Sequence, residues 1–327
     1  MSGPENEIIQ KISRLRRGRN TEGAALTVGI GDDAALWRTR PGREVILTCD
    51  WFLEGTHFLR DKHPADAVGW KCLARAVSDI AAMGGETRCF LLSLALPEEL
   101  TGKWLEAFLR GLRRAARELN CELAGGDTTR RKEVLINVTV IGEVGRGRAV
   151  LRSGARVGDG IYVSGTLGEA DLGLRMLRQA RDRARAANAA LRKHLYPRPR
   201  LELGRWLAEK RLASAMMDIS DGLSTDLARM CEASGVGAKI DGDSLPVSRF
   251  AESKEDARKL ALHGGDDYEL LFAVHSRNER RLASEYQGLR LTRIGEITRG
   301  RKILVREGAR SVELRPGGWD PFAKRRK

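Results

Sequence analysis

Cysteine is sparse and unpatterned in this chain. Five residues (Cys49, Cys72, Cys89, Cys121 and Cys231) are spread over 327 positions, an odd count with no C-x-x-C pair. That argues against a zinc site or a disulfide framework and predicts a reducing, cytoplasmic setting. Long apolar runs are also missing: nothing approaches the roughly 18 consecutive apolar residues of a membrane helix. The opening Met1-Ser2-Gly3-Pro4-Glu5-Asn6-Glu7 is polar and acidic, so no secretory signal is expected. G-x-x-x-x-G-K-[ST], H-E-x-x-H, G-x-S-x-G and the protein-kinase signatures do not occur, which excludes P-loop NTPases and the common hydrolase and protein-kinase classes.

What is present is a folded, strongly basic chain. Hydrophobic content of 42% and charged content of 31% are those of a globular protein, and the length suits two ordinary domains. The formal net charge is +14. Basic residues concentrate at Arg14–Arg19, along Arg175–Arg205 and in Lys324-Arg325-Arg326-Lys327. No helix-turn-helix pattern, aromatic RNP-type strand or zinc module accompanies them, which argues against nucleic acid as the main partner. Small anionic substrates account for part of the excess equally well.

Periodicity predicts alternating strands and helices. A β-type run, Val45–Thr48, ends at Asp50. A helix is expected over Ala65–Met83, with Val68, Cys72, Leu73, Ala76, Val77 and Ile80 at helical spacing. Phe90–Leu96 reads as a buried strand stopped by Pro97, Trp104–Leu119 as a helix and Val134–Val144 as a strand. The Gly- and Arg-rich stretch from Gly142 to Gly160 is the best domain boundary, giving domains 1–148 and 149–327. The second half restarts at Ile161–Ser164. A helix follows over about Glu169–Leu195, another after Ser220-Asp221, then a strand at Leu270–Val274 and a terminal hairpin within Leu291–Val305. The class is α/β, with two mixed domains.

Aspartates gather in five Gly-, Ser- or Thr-rich clusters: Gly31-Asp32-Asp33, Thr48-Cys49-Asp50, Gly125-Gly126-Asp127-Thr128-Thr129, Asp218-Ile219-Ser220-Asp221-Gly222 and Gly264-Gly265-Asp266-Asp267. Carboxylates in such turns are suited to hard cations shared with substrate phosphates. Gly29-Ile30-Gly31-Asp32-Asp33-Ala34 matches G-x-G-x-x-A, but two carboxylates inside that loop would repel a pyrophosphate unless a cation intervened. Asp50 reads either as a turn cap or, with Thr48, as a metal ligand. Asp79 stands in a helix of small and apolar residues, where an unpaired carboxylate is costly; Arg75 at i−4 is one candidate partner, a metal the other. The Gly125-Gly126 pair is an ordinary tight turn or a close approach for phosphate. Ser220 or Asp221 is an N-cap or part of a phosphate-binding helix start.

In this order, and joined by Trp51-Phe52-Leu53-Glu54-Gly55-Thr56-His57-Phe58, Ser78-Asp79-Ile80-Ala81-Ala82-Met83-Gly84-Gly85, Arg152-Ser153-Gly154-Ala155 and Tyr268-Glu269-Leu270, these motifs resemble the thiamine-monophosphate kinase family over essentially the whole chain. The resemblance implies the two-domain fold of aminoimidazole ribonucleotide synthetase relatives. It implies ATP-dependent phosphorylation of thiamine phosphate to thiamine diphosphate, with several Mg²⁺ ions, and a homodimer paired through the N-terminal domains. By that pattern Asp33, Thr48, Asp50, Asp79, Asp127, Asp218 and Asp221 match metal positions. Gly126, Asp127, Arg152 and Ser220 match nucleotide contacts, and His57, Asp266 and Trp319 match thiamine phosphate contacts. Cys49 departs from the usual hydroxyl residue and Asp266 from the usual Glu. Aminoimidazole ribonucleotide synthetase and selenophosphate synthetase are the nearest alternatives within the superfamily. The Asp50–Phe58 segment favours the thiamine branch. A basic nucleic-acid-binding protein that has lost catalysis is the alternative from another class, and it leaves the five Asp clusters unexplained.

Overall fold

The structure, a computed structural model, describes residues 4–14, 26–28, 34–179, 186–308 and 310–322. Asp33 with the rest of its turn, the basic residues 15–19 and 324–327, and the middle of the Arg175–Arg205 stretch lie outside the described residues. The chain divides into two compact units, Met1–Ile80 with Gly85–Gly147, and Ala81–Gly84 with Arg148–Lys327.

The first unit contains α1 (Pro4–Ser13), β1 (Leu26–Val28), β2 (Leu36–Trp37), β3 (Arg43–Leu53), α2 (Ala65–Ala82), β4 (Glu86–Leu96), α3 (Lys103–Glu118), β5 (Glu122–Arg130) and β6 (Leu135–Gly145). Four strands form a sheet in the order β3-β6-β4-β5, leaving β3 and β5 as edges. β4 and β5 are parallel, as the α3 crossover between them requires. Along β3 the period of two separates the faces: Ile46 and Phe52 are buried, while Val45, Leu47, Cys49 and Trp51 are exposed, Leu47 to 70% and Trp51 to 55%. Helices α2 and α3 cross at glycines. A Cβ on Gly69 would lie 2.0 Å from the Phe108 carbonyl oxygen, and one on Gly111 would lie 1.8 Å from that of Asp66.

Two turn expectations are corrected here. β3 runs on to Leu53, so Asp50 lies within a strand. Gly125–Thr129 likewise stays inside β5, because the parallel ladder with β4 continues from Glu122 to Arg130 with only a bulge near Gly125. The reason for Gly126 is steric: a Cβ there would meet the Leu92 carbonyl oxygen at 1.9 Å.

The second unit contains β7 (Gly160–Ser164), α4 (Glu169–Gln179), α5 (Ala186–Leu195), α6 (Leu201–Glu209), β8 (Ala213–Ile219), α7 (Leu223–Ser234), β9 (Gly237–Asp241), α8 (Lys254–His263), β10 (Glu269–Val274), α9 (Ser276–Glu279), β11 (Glu285–Tyr286), β12 (Leu289–Thr298), β13 (Ile303–Glu307) and β14 (Arg310–Glu313). Its sheet runs β14-β13-β9-β12-β7-β10-β8, with β11 on β12. On one face Ile161, Val163, Met217, Ile219 and Leu271 belong to one core with Leu223, Leu227 and Met230 of α7. On the other, Tyr162, Met216, Leu270 and Phe272 belong to a core with Leu203 and Leu207 of α6. β10 is antiparallel to both β7 and β8. The ends of β7 and β8 and the start of β10 therefore share one edge of the unit, where their polar loops collect.

The single helix expected over Glu169–Leu195 is described as α4 and α5, with residues 180–185 outside the description. The hairpin expected within Leu291–Val305 does not form; β13 pairs antiparallel with β14 instead. β12 pairs with β7 and β9, while β13 joins the far side of β9 in parallel. The Lys302 carbonyl accepts from the Ala238 N–H, carrying the chain across the start of β9. Turn chemistry at 299–302 could not reveal a strand lying some sixty residues upstream.

Gly69→Ala is expected to destabilise the protein by about 1–3 kcal/mol through overpacking, although Ala is the better helix former by about 1 kcal/mol. Thermal or urea unfolding measures it; an unchanged or raised midpoint would contradict the glycine contact.

Candidate functional site

In the first unit, Thr48 and Asp50 share the face of β3 opposite its exposed apolar residues. The Thr48 hydroxyl donates a short hydrogen bond to the Asp79 carboxylate on α2. One turn earlier, the Arg75 guanidinium lies 3.6 Å from Asp50 Oδ2 and 5.3 Å from the centre of the Phe52 ring. Arg75 thus faces Asp50, and Thr48 faces Asp79. His57 follows β3; its Nδ1 accepts the Leu53 N–H at 3.0 Å, which puts the proton of the neutral ring on Nε2.

Asp127 is not gathered with these residues. It is the register partner of Ser93, which faces Asn137, which faces Trp51. Three strand spacings, about 14 Å, separate it from β3, and Gly126 goes with it.

The second unit brings five predicted residues together. Asp218 ends β8 nearly buried, at 7% exposure, and the turn Ser220-Asp221-Gly222 leads into α7. The Asp266 N–H donates to the Ser220 carbonyl at 2.8 Å, the Tyr268 N–H to that of Ile219 at 2.9 Å, and the Trp319 N–H to that of Asp221 at 2.8 Å. Asp266 and Tyr268 hold left-handed backbones, φ +67° and +51°, which non-glycine residues adopt at a cost. Tyr268 Oη donates to Asp266 Oδ1 at 2.7 Å, and His194 Nδ1 lies 3.9 Å from Asp266 Oδ2. Trp319 is 39% exposed. Gly318 beside it admits no side chain, since a Cβ would stand 2.0 Å from the Asp221 carbonyl oxygen.

Arg152 stands apart from this group. Its carbonyl accepts from Ser234 Oγ at 3.0 Å, at the last residue of α7. Twelve residues of helix, about 18 Å, lie between there and the Ser220–Gly222 turn.

The helix-start reading also needs correction. The N-cap of α7 is Gly222, not Ser220 or Asp221. The N–H groups of Ser220, Asp221 and Gly222 all donate to Oδ2 of Asp226, at 3.1, 3.1 and 3.0 Å. They are occupied by the chain's own carboxylate. Arg229 bridges Asp221 Oδ2 and Asp226 Oδ1 at 2.5 and 2.9 Å. Burial, then the neighbouring Asp221 charge, push the Asp226 carboxyl up to about 7, against the pull of Arg229 and the backbone donors. Sequence reasoning missed Asp226 and Arg229, although a signal existed: Asp226 falls on the same stripe as Leu223, Leu227 and Met230, the buried side of an amphipathic helix.

A second buried network lies beside Asp266. Glu269, fully buried, accepts from Arg200 at 2.7 and 2.5 Å and from Ser164 Oγ at 2.6 Å, with Lys193 Nζ at 3.1 Å. Burial raises its carboxyl, yet Lys193 and Arg200 outweigh that and hold it below the ordinary range. Asp267 accepts the Gly168 and Ala170 N–H groups at 2.5 and 3.2 Å, fixing the start of α4. Its carboxyl is pushed up to about 6, burial outweighing Lys193 and the backbone donors. Hollows of about 500 and 610 Å³ open on the first and second units respectively, and neither is lined by a predicted ligand. Cavity size alone would not have found this group.

Among the described residues, no three His, Cys, Asp or Glu side chains stand close enough to hold a metal ion unaided. The predicted donor set, Asp33, Thr48, Asp50, Asp79, Asp127, Asp218 and Asp221, is all oxygen. That set suits a hard cation such as Mg²⁺, which is typically held by one or two carboxylates and completed by phosphate and water.

Residues 31–144 match the N-terminal domain of AIR synthase related proteins, and residues 156–306 their C-terminal domain. The chain is 39% identical over 325 residues to the thiamine-monophosphate kinase of Salmonella typhimurium, covering 97% of each sequence. Its structure is similar to that of thiamine-monophosphate kinase from Stenotrophomonas maltophilia, with a TM-score of 0.81 and 38% identity over 92% of this chain and 95% of that one. It is also similar to AaThiL complexed with AMPPCP and TMP, with a TM-score of 0.77 and 34% identity over 90% and 92% of the two chains.

Asp267 gives a pH prediction. Its carboxyl is raised from 3.8 to about 6, so the folded state holds the proton more tightly than the unfolded chain. Its contribution to stability is complete below about pH 4 and is lost as pH rises through about 6. Asp267→Asn cannot ionise, so the stability difference between variant and wild type should move in the variant's favour by about 2–3 kcal/mol between pH 4.5 and 7.5. Thermal unfolding at both values checks this; a constant difference would contradict it.

Proposed function

The chain belongs to the thiamine-monophosphate kinase family, and from that premise we infer that it transfers the γ-phosphoryl group of ATP to thiamine phosphate, giving thiamine diphosphate and ADP. The carrying observation is the knot at the edge of the second unit. Backbone hydrogen bonds hold a hydroxyl (Ser220), carboxylates (Asp221, Asp266) and an exposed indole (Trp319) side by side. One ligand with a charged phosphate end and an aromatic end suits such a group. The relative complexed with AMPPCP and TMP supports the same pair of substrates here.

The electrostatics of the reaction define what the residues must do. Donor and acceptor are both phosphates, and two unit charges 4 Å apart repel by about 4 kcal/mol at an effective dielectric near 20. Mg²⁺, when bound, supplies the positive charge that lets them approach. Thr48, Asp50 and Asp79 would hold it on the first unit, Asp218 and Asp221 on the second, with Asp127 and Asp33 as the further carboxylates of the set. Gly126, Asp127, Arg152 and Ser220 are read as nucleotide contacts. His57, through Nε2, together with Asp266 and Trp319, is read as holding thiamine phosphate. The acceptor phosphate has a second pKa of about 6 and is already nucleophilic at neutral pH. No dedicated base and no phosphorylated enzyme are required, and transfer is direct and in line.

The first unit supports a homodimer as part of the same reading. Its sheet has two open edges and an exposed apolar face of Val45, Leu47 and Trp51, the kind of patch a second copy covers. The five cysteines are all free thiols, and no helix among the described residues is long and apolar enough to cross a membrane; a cytoplasmic enzyme accords with both.

Wild type should form thiamine diphosphate from thiamine phosphate, ATP and Mg²⁺, and Asp218→Asn should lower the rate about 100-fold or more with its unfolding midpoint retained. Absent product from wild type, or an unaffected variant, would contradict the reading. Leu47→Asp with Trp51→Asp should convert a dimer to a monomer by light scattering and reduce turnover at least about tenfold; a stable, active dimer would contradict the proposed interface.

A further inference from the structure

The turn that carries Ser220 and Asp221 is held from inside the helix that follows it. Asp226 lies in the first turn of α7, with no exposed side-chain surface. An ordinary N-cap side chain stands before a helix and accepts from N–H groups within it. Asp226 does the reverse, reaching back to the N–H groups of the three residues that precede the helix. Gly222 makes this possible, with φ +114° and room for no Cβ, which would press on the His263 carbonyl oxygen at 2.8 Å. A helix start offers its own first N–H groups to a ligand anion; here it is the three N–H groups just before the helix that an internal carboxylate takes up.

Both segments carrying the proposed thiamine phosphate contacts of this unit depend on the same turn. Asp266 bonds through its N–H to the Ser220 carbonyl, and Trp319 to that of Asp221. Arg229 ties the Asp226 carboxylate to Asp221 on the other side. Displacing the turn would therefore move the hydroxyl, the carboxylates and the indole together.

We propose that Asp226 is a positioning residue for phosphoryl transfer: an internal carboxyl group that fixes the Ser220-Asp221-Gly222 turn and withholds its N–H groups from the nucleotide. The proposal rests on the kinase reading above. Asp226 touches no substrate. Its removal leaves three backbone donors without their acceptor, and the turn then rearranges or takes a substrate phosphate in the wrong place.

The test compares full-length wild type with Asp226→Ala and Asp226→Asn, by steady-state kinetics and by amide hydrogen exchange at residues 220–222. Asp226→Ala should lower kcat/KM for ATP about 100-fold, the scale on which an ångström of misplacement acts, and should speed exchange at those amides. Asp226→Asn, whose amide oxygen still accepts but carries no charge, should speed that exchange less and raise KM for ATP by about two- to tenfold. A folded Asp226→Ala enzyme with unchanged kcat and KM would overturn the proposal, leaving Asp226 a purely structural cap. Should the Ala variant fail to fold, Asp226→Asn decides alone: faster exchange with a raised KM supports the clamp, and unchanged exchange or unchanged kinetics overturns it. If wild type makes no thiamine diphosphate, the kinase reading fails separately. The same variants are then compared by calorimetry with Mg·ATP, where weaker binding by Asp226→Ala supports the clamp and equal affinity overturns it.

Discussion

An ionised carboxylate taken out of water must be met by donors or cations, and the polar edge of the second unit is organised around that requirement. Asp218, Asp226, Asp267 and Glu269 are all buried there. Glu269 is met by two cations and a hydroxyl, and Asp267 by the first N–H groups of α4. Asp226 is met by the N–H groups preceding α7 and by Arg229. Each arrangement also fixes a loop: Asp267 sets the turn after β7, Asp226 the turn after β8, and Glu269 the start of β10. The three loops share one edge because β10 runs antiparallel to both neighbours.

This divides the acids into two kinds. Asp226, Asp267 and Glu269 are compensated by the protein itself and shape the backbone. Thr48, Asp50, Asp79, Asp218 and Asp221 form the oxygen-rich set proposed to serve cations, and some are already held by local partners, as Asp221 is by Arg229 and Asp79 by Thr48. Such pairing orients a carboxylate. In the second unit the internally compensated acids thus build the loops that adjoin Asp218 and carry Asp221.

Much of this was legible locally. Periodicity located α2, β4, α3, β7 and β10 to within a few residues, because each buries a whole stripe or a continuous run. The Asp218–Gly222 turn was visible as acids and glycine between a strand and a helix. Long-range relations were not visible. Nothing near Gly125–Thr129 reveals that the segment stays paired with β4, nothing near Arg152 that it stands at the far end of α7, and nothing near Leu291–Val305 that β9 intervenes. Asp226 was legible but misjudged by omission: an acid on the buried stripe of a helix needs an acceptor's worth of donors nearby, and the only question was which ones. The answer is the three N–H groups that precede α7.

The central claim is a single direct transfer between two phosphates, with the residues named acting by position and charge. The most direct measurement is the stereochemical course of the reaction, using ATP made chiral at the γ-phosphorus by oxygen isotopes and thiamine phosphate as acceptor. One in-line displacement predicts inversion at the transferred phosphorus in thiamine diphosphate. Retention would mean two displacements through a phosphorylated enzyme and would contradict the account.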